Sequence, residues 1–176
     1  MIIAISGKAG SGKSTIAKEL ALELGYKLYS IGDLQRKFAD DRNISLEELR
    51  KLEKIDKSID IDFDNYQKSL SEKEDNFVIE SRLSPFFMKK AFKIFLDCDD
   101  DERIKRISND PKANRAVEDS KNILRRDIDD QTRLKELYNF DFLDTKNYDL
   151  VIDTTNMKIN EIIDYILDKI SSTKEL

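Results

Sequence analysis

Short apolar runs alternate along this chain with longer segments of helical periodicity. The apolar runs, each four to eight residues or slightly shorter, are typical of buried strands. They lie at 2–6, 26–30, 77–79, 93–96 and 149–153. Between them, apolar residues recur every three or four positions, the pattern of a helix with one buried face. Strands that alternate with helices predict an α/β fold, built on a five-stranded parallel sheet flanked by helices.

A long, strongly charged helical region separates the second predicted strand from the third. A capping-box pattern begins at Ser45, and a further helix is expected over 56–71. The region is too charged to belong to the core, so we interpret residues 37–71 as an insertion that covers a substrate. A plain helical hairpin is the alternative. A second long charged helix is predicted from about 116 to 138.

The loop after the first strand has the pattern of a phosphate-binding loop. Residues 7–15 read GKAGSGKST and match G-x-x-x-x-G-K-[ST] without a mismatch, between a predicted strand and a predicted helix. Glycines let successive backbone N–H groups converge on a polyphosphate, and the helix adds its positive end. A glycine-rich turn that only opens a helix is the alternative. The residues predicted to bind ATP here are Gly7, Lys8, Ala9, Gly10, Ser11, Gly12, Lys13, Ser14 and Thr15.

The composition limits the chemistry further. The 176 residues contain no histidine and one cysteine, Cys98, which excludes histidine-based catalysis and cysteine-cluster zinc sites. A metal must then be a hard ion held by oxygen, and we predict Mg²⁺ with Ser14 and Glu80 on the protein side. The net charge of −5 argues against nucleic acid as a partner. No membrane-length apolar run or signal pattern is visible, so we expect a cytoplasmic protein with no membrane partner.

The arginines are concentrated in the second half of the chain. Seven of the ten lie between Arg82 and Arg133, and the planar fork of arginine suits phosphate and ribose. Arg126, Asp130 and Arg133 follow an i, i+4, i+7 spacing and share one helix face; an exposed ion pair is the alternative. Near the second strand, S-x-G-D-x-x-R places Asp33 to cap the next helix, with Arg36 one turn further.

These motifs, taken in order, resemble the nucleoside monophosphate kinases, and among them the cytidylate kinases in their short, archaeal form. The resemblance covers nearly the whole chain and rests on the following stretches: 5–15, 30–36, 80–83, 93–106, 126–133 and 148–155. It implies a P-loop NTPase fold in one domain over 1–176, with a core of 1–36, 77–108 and 139–176. Residues 37–71 would form the helical acceptor-binding insertion, and about 109–125 an arginine-rich lid that includes Arg115.

The resemblance also implies a role for individual residues. Arg36 and Arg82 would clamp the acceptor phosphate, Arg126 and Asp130 would hold its ribose, and Arg133 would lie near the phosphates. Arg103 would lie along the adenine of ATP, and Arg106 would face the phosphates. The implied catalytic residues are Lys13, Arg82, Arg126 and Arg133. The implied acceptor-binding residues are Asp33, Arg36, Arg82, Arg126, Asp130 and Arg133.

The acceptor implied by the resemblance is a pyrimidine nucleotide. We expect transfer of the γ-phosphate of ATP to CMP, and also to dCMP or UMP, by a monomer. In the long bacterial form an aspartate after the motif's arginine reads the cytosine, whereas this chain has Leu83, and Ser81 replaces the motif's usual glycine. The alternatives are a kinase of AMP, shikimate or dephospho-coenzyme A, and an ATP-binding switch protein that is not a kinase.

Overall fold

A five-stranded parallel sheet forms the centre of the protein. The computed structural model describes residues 1–109 and 120–174. The strands are β1 (Ile2–Gly7), β2 (Lys27–Ser30), β3 (Phe77–Glu80), β4 (Phe92–Asp97) and β5 (Leu150–Asp153). The helices are α1 (Lys13–Leu24), α2 (Ile31–Asp41), α3 (Leu46–Ile55), α4 (Lys57–Lys73), α5 (Ser84–Phe87), α6 (Asp100–Ser108), α7 (Ser120–Tyr138) and α8 (Ile159–Lys174), with a 3₁₀ turn at Thr145–Asn147.

The strand order places the phosphate loop at the middle of one sheet edge. The order is β2-β3-β1-β4-β5, and every neighbouring pair is parallel. In this register Ile5 lies opposite Glu80 of β3, and Gly7 lies opposite Leu96 of β4. The loop after β1 is therefore flanked by the ends of β3 and β4, the position where open α/β sheets bind ligands. The predicted fold class is confirmed.

Alternation along β1 divides the core between the two faces of the sheet. Ile3 and Ile5 pack with α1 and α8, whereas Ile2 and Ala4 face the opposite side with residues of α4 and β3. A third cluster joins the end of α7 to β4. It consists of Leu83, Phe95, Leu134, Phe140 and Phe142. Because β1 is buried on both faces, its end is rigidly held where the phosphate loop begins.

Helix ends agree with the sequence in most places and differ in one. Gly25 ends α1 in the left-handed conformation, and the Ser45–Glu48 capping box opens α3 as predicted. The prediction that Asp33 caps α2 is wrong: the Ser30 hydroxyl accepts from the Asp33 N–H, so the helix starts three residues earlier. Pro85 lies in the first turn of α5, where its missing N–H has no cost.

The insertion between β2 and β3 corresponds to the end of α2, all of α3 and most of α4. It has a small apolar interior of its own, in which Leu49 and Phe63 are buried and Phe38 contacts Phe63 edge to face at 5.4 Å. Of the predicted lid, residues 110–119, with Arg115, lie outside the described residues. In the described ranges, no helix combines the length and the apolar character that a membrane span requires.

Candidate active site

Three glycines give the loop between β1 and α1 its shape. Gly7, Gly10 and Gly12 have φ values of 146°, 79° and 91°, in the range that side chains disfavour. At Gly7 a Cβ atom would also lie 2.1 Å from the backbone oxygen of Leu96, so β4 itself excludes any other residue. The loop thus curls tightly over the sheet edge, and Gly12 opens α1 directly from it. This geometry directs the first N–H groups of α1 towards the site of an anion.

Lys13 lies inside this loop. Its Nζ donates to the carbonyl oxygen of Lys8 at 2.7 Å, which folds the side chain back over the loop. Burial of the ammonium, together with the positive charges of Arg82 and Arg126, lowers the pKa of Lys13 to about 7, and Glu80 opposes this only in part. Three predicted catalytic cations therefore lie close enough to repel one another. An added polyphosphate would relieve that repulsion.

The lowered pKa of Lys13 predicts that ATP affinity depends on pH. Above about pH 7 the free protein holds Lys13 neutral, whereas bound phosphates favour its charged form, so binding must take up a proton. We expect the dissociation constant for Mg-ATP to rise by up to about tenfold per pH unit between about pH 7.5 and 9. Titration calorimetry in two buffers of different ionisation enthalpy measures both the affinity and the proton uptake. An affinity that stays flat over this range would contradict the lowered pKa.

Asp127 joins the phosphate loop to two arginines. This carboxylate, on α7, is buried at 6% exposure and accepts from the Ala9 N–H at 3.0 Å. It also forms ion pairs with Arg82 and Arg103. Burial alone would raise the pKa of Asp127, but the two arginines and the Ala9 N–H hold it below its usual value. The Asp127 carboxylate therefore fixes the loop, α6 and the end of β3 against one another.

The sequence-based reasoning did not assign a role to Asp127. A signal existed in the helical periodicity: Ile123, Asp127 and Leu134 lie on one stripe, spaced by four and seven residues, and all three are buried. A carboxylate on a buried stripe requires a cationic partner. The i, i+4, i+7 spacing of charged residues instead predicted Arg126, Asp130 and Arg133, which lie beside that stripe, as site residues.

Arg103 occupies a different place from the one that the resemblance implied. Its side chain is only 1% exposed, and its guanidinium contacts the Ala9 carbonyl oxygen at 3.2 Å, Asp100 at 2.7 Å and Asp127. A guanidinium with these three partners faces the back of the phosphate loop, so in this arrangement it does not offer a surface for adenine. We correct the expectation: Arg103 supports the loop from α6.

Arg106 lies one turn further along α6 and close to the loop. It pairs with Glu102 at 3.0 Å and donates to the backbone oxygen of Thr154 at 2.7 Å, which ties α6 to the end of β5. Its guanidinium lies 4.0 Å from the position of a Cβ at Gly12. Arg106 therefore remains a candidate for the phosphate contact that was predicted for it.

Arg82 lies on the β3 side of the loop, opposite α6 and its arginines. It follows β3 and pairs with Asp127 and with Asp130, the latter on the next turn of α7. Burial lowers the pKa of Arg82, as do the nearby cations Arg50 and Arg133, while Asp127 raises it. Arg133 in turn lies 3.7 Å from Asp130. The helix face predicted from the i, i+4, i+7 spacing is therefore turned to Arg82.

Arg36 lies on α2, beyond the strand next to β3. It forms an ion pair with Asp33, and its guanidinium lies against Gly32. Because Ser30 and Glu80 lie opposite each other in the sheet, α2 and the segment carrying Arg82 leave the same edge. The Asp33 and Arg36 side chains therefore lie at the same edge of the sheet as Arg82, paired with each other.

The donors near the loop fit Mg²⁺ held through phosphate. Ser14 is exposed at the start of α1, and Glu80, 7% exposed, ends β3 and accepts from the Ser30 hydroxyl at 2.8 Å. Within the ranges that the structure describes, no three carboxylate or cysteine side chains cluster as a metal site. One hydroxyl and one carboxylate are the sparse protein donor set that Mg²⁺ uses when it keeps water and phosphate ligands.

Comparison with known proteins places this site in a family. Residues 2–156 match the model of the cytidylate kinase-like family. The chain is 36% identical to a cytidylate kinase of Methanocella arvoryzae, with 99% of both chains covered. It is 39% identical to a cytidylate kinase of Natronomonas pharaonis, over 89% of this chain and 82% of the other. The fold is similar to that of a shikimate kinase from Bacteroides thetaiotaomicron, with a TM-score of 0.65, 15% identity and coverage of 100% and 99%. The family model matches most of the chain, and the archaeal relative at 36% identity is aligned over nearly its full length. This chain therefore belongs to the cytidylate kinase-like family.

Proposed function

We propose that the protein transfers the γ-phosphate of ATP to a nucleoside monophosphate, with CMP as the best acceptor. One observation carries the proposal. Lys13, Arg82 and Arg126 lie close together at the sheet edge where β1 ends and the phosphate loop begins. A protein that only binds ATP has no use for a second group of arginines beyond the γ-phosphate. Membership of the cytidylate kinase-like family supports CMP as that second substrate.

Positioning and charge compensation suffice for this reaction. The attacking oxygen belongs to a phosphate, which is a good nucleophile without a general base, so the lack of histidine is no obstacle. The loop N–H groups and Lys13 hold the β- and γ-phosphates of ATP. Arg82 and Arg126 lie on the side from which the acceptor approaches and balance the charge that spreads over the transferred group.

The acceptor phosphate replaces Asp33 at Arg36 and Asp130 at Arg82, the carboxylates that occupy these arginines in the structure. Arg36 is paired with Asp33, and Arg82 with Asp127 and Asp130. A dianionic phosphate carries more charge than a carboxylate, and its three terminal oxygens can accept bidentate contacts from a guanidinium. Asp130, once released from Arg82, is free to accept from a ribose hydroxyl of the same acceptor, with Arg126 and Arg133 beside it.

Ser14 and Glu80 would hold Mg²⁺, which would supply neutralisation of the charge on the phosphates. The Ser14 hydroxyl begins α1 next to Lys13, and Glu80 reaches the same region from the end of β3. The Ser30 hydroxyl bonded to Glu80 keeps that carboxylate oriented.

A change at Asp130 is expected to reduce the preference for a ribonucleotide. Asp130→Ala removes the predicted acceptor for the ribose 2′-hydroxyl, which CMP has and dCMP lacks. A hydrogen bond to a charged group contributes about 1.5–3 kcal/mol, so the ratio of kcat/KM for CMP over dCMP should fall at least about tenfold. The KM for ATP should change little. Steady-state kinetics with both acceptors measure the ratio.

Asp129→Ala provides the matched control for that experiment. Asp129 is the neighbouring carboxylate on α7, but it is exposed. This variant should keep the wild-type ratio. If Asp130→Ala also keeps it, the carboxylate does not contact the ribose, and the acceptor side of the site has to be reassigned.

The activity itself is tested with a panel of acceptors. ADP release with Mg-ATP is measured for CMP, dCMP, UMP, AMP, GMP and shikimate by a coupled assay. We expect the highest kcat/KM for CMP, lower values for dCMP and UMP, and poor values for the purines. A preference for AMP would retain the kinase and reject the pyrimidine site. If shikimate were the one compound in the panel that is phosphorylated, the proposal of a nucleotide acceptor would be rejected.

A further inference from the structure

A chain of three polar side chains connects the insertion to the far end of α7. The Tyr138 hydroxyl, at the end of α7, donates to Oδ2 of Asp64 on α4. The other carboxylate oxygen of Asp64, Oδ1, accepts from Nε2 of Gln67 at 3.4 Å. Asp64 is 8% exposed and Gln67 is 2% exposed, so the chain lies in the interior. Buried polar groups of this kind need hydrogen-bond partners.

The amide oxygen of Gln67 does not have one. Across the described ranges, Oε1 of Gln67 is a buried oxygen with no hydrogen-bond donor. The hydrogen bond to Asp64 sets its orientation: the NH₂ group of the amide faces Oδ1 of the carboxylate, which directs the amide oxygen away. The Tyr138 hydroxyl holds the carboxylate from its other side. Gln67 therefore presents an acceptor of hydrogen bonds, and not a donor, to whatever lies beyond it.

The position of this amide matches the distance from phosphate to base in a nucleotide. Along α7, Asp130 pairs with Arg82, and Tyr138 follows eight residues later. At 1.5 Å per residue these two positions are about 12 Å apart along the helix, which is comparable with the length of an extended nucleoside monophosphate. Gln67 and Asp64 belong to the insertion predicted to cover the acceptor. A nucleotide with its phosphate at Arg82 that extends along α7 brings its base to the Asp64–Gln67 pair.

We propose that the amide oxygen of Gln67 accepts a hydrogen bond from the exocyclic amino group of cytosine, and that Asp64 and Tyr138 are positioning residues for it. This inference rests on the proposed function. Cytosine carries an amino donor at the position where uracil carries a carbonyl acceptor. The fixed Gln67 oxygen would therefore attract CMP and repel UMP. Because Gln67 is 2% exposed, the base enters only when α4 separates from α7.

This assignment also accounts for the residue after Arg82. Leu83 is apolar and 4% exposed, packed in the cluster with Phe95 and Leu134. It provides no polar contact to a base. If Gln67 on α4 contacts the base, a polar contact from residue 83 is unnecessary.

The test compares CMP with UMP within each variant. Gln67→Met keeps the length of the side chain and removes the acceptor oxygen, and we expect the ratio of kcat/KM for CMP over UMP to fall at least about tenfold. Asp64→Asn lets the Gln67 amide turn over, since an asparagine both donates and accepts, so UMP should gain relative to CMP. Gln131→Met is the matched control: Gln131 also donates to an aspartate, Asp141, but outside the insertion, and its ratio should stay at the wild-type value.

Because each ratio is measured within one protein, a general loss of folded enzyme cancels. If Gln67→Met is too unstable to assay, the ratio of Asp64→Asn decides. Parallel losses with both acceptors and an unchanged ratio would mean that the three residues only hold α4 to α7, which overturns the inference and leaves the kinase intact. A wild-type enzyme that prefers UMP would also overturn it. A wild-type enzyme that phosphorylates neither CMP nor UMP would reject the proposed function itself.

Discussion

Replacement of Lys13 by alanine is expected to lower kcat/KM for phosphoryl transfer by about 10³-fold or more. Lys13 lies within the phosphate loop, where its ammonium donates to the Lys8 carbonyl oxygen and is close to Arg82 and Arg126. Contacts that stabilise developing charge in an enclosed site contribute several kcal/mol to the barrier. The measurement is the initial rate of ADP formation over a range of CMP concentrations with saturating Mg-ATP, which gives kcat/KM.

The Lys13→Ala protein should remain folded, since removal of a buried cation with a lowered pKa relieves repulsion. Lys18→Ala changes an exposed lysine on α1 and should leave the activity unaltered. A Lys13→Ala variant that is folded by circular dichroism and turns over near the wild-type rate would remove Lys13 from the mechanism.

Replacement of Asp127 by alanine should cause the largest loss of stability of any single change at this site. It leaves Arg82 and Arg103 buried without their shared carboxylate and the Ala9 N–H without its acceptor. Breaking a buried ion pair costs about 3–5 kcal/mol. For a chain of this size each kcal/mol lowers the Tm by about 2–4 °C, so we expect a fall of about 10 °C.

Thermal unfolding followed by circular dichroism measures this effect. Asp129→Ala, an exposed change two positions away on the same helix, should shift the Tm only slightly. Asp127→Asn keeps an acceptor for the Ala9 N–H and should lose less than the alanine variant. A Tm for Asp127→Ala within the range of Asp129→Ala would show that the carboxylate does not hold the loop, α6 and β3 together.

The helices and strands of this fold were predictable because each depends on a local pattern of apolar, polar and glycine residues. Apolar runs predicted all five strands, and the spacing of the glycines predicted the phosphate loop. These positions need conformations that only glycine adopts readily, such as the φ of 91° at Gly12. The strand order β2-β3-β1-β4-β5 was not predictable from these patterns, since it depends on pairings between distant segments. That order decides that Glu80 and Leu96 flank the loop.

The site was predictable in its residue types and less so in its contacts. The sequence indicated that Arg82, Arg126 and Asp130 act together, and the structure brings Arg82 to Asp130. It also suggested that Arg103 contacts a nucleotide, whereas the guanidinium lies behind the phosphate loop. A guanidinium has the same chemistry whether it binds a substrate or a carbonyl oxygen. Only burial, which depends on the tertiary packing of α6 against the loop, distinguishes the two uses.

The most direct test of the central claim follows the γ-phosphate itself. The enzyme is mixed with ATP labelled at the γ-phosphate, Mg²⁺ and unlabelled CMP, and the products are separated by chromatography. If Arg82 and Arg126 align an acceptor phosphate opposite the loop that holds Lys13, the label appears in CDP, and little is found as free phosphate while CMP is present. Label that appears only as inorganic phosphate, at a rate that CMP does not change, would contradict the account and indicate an ATPase.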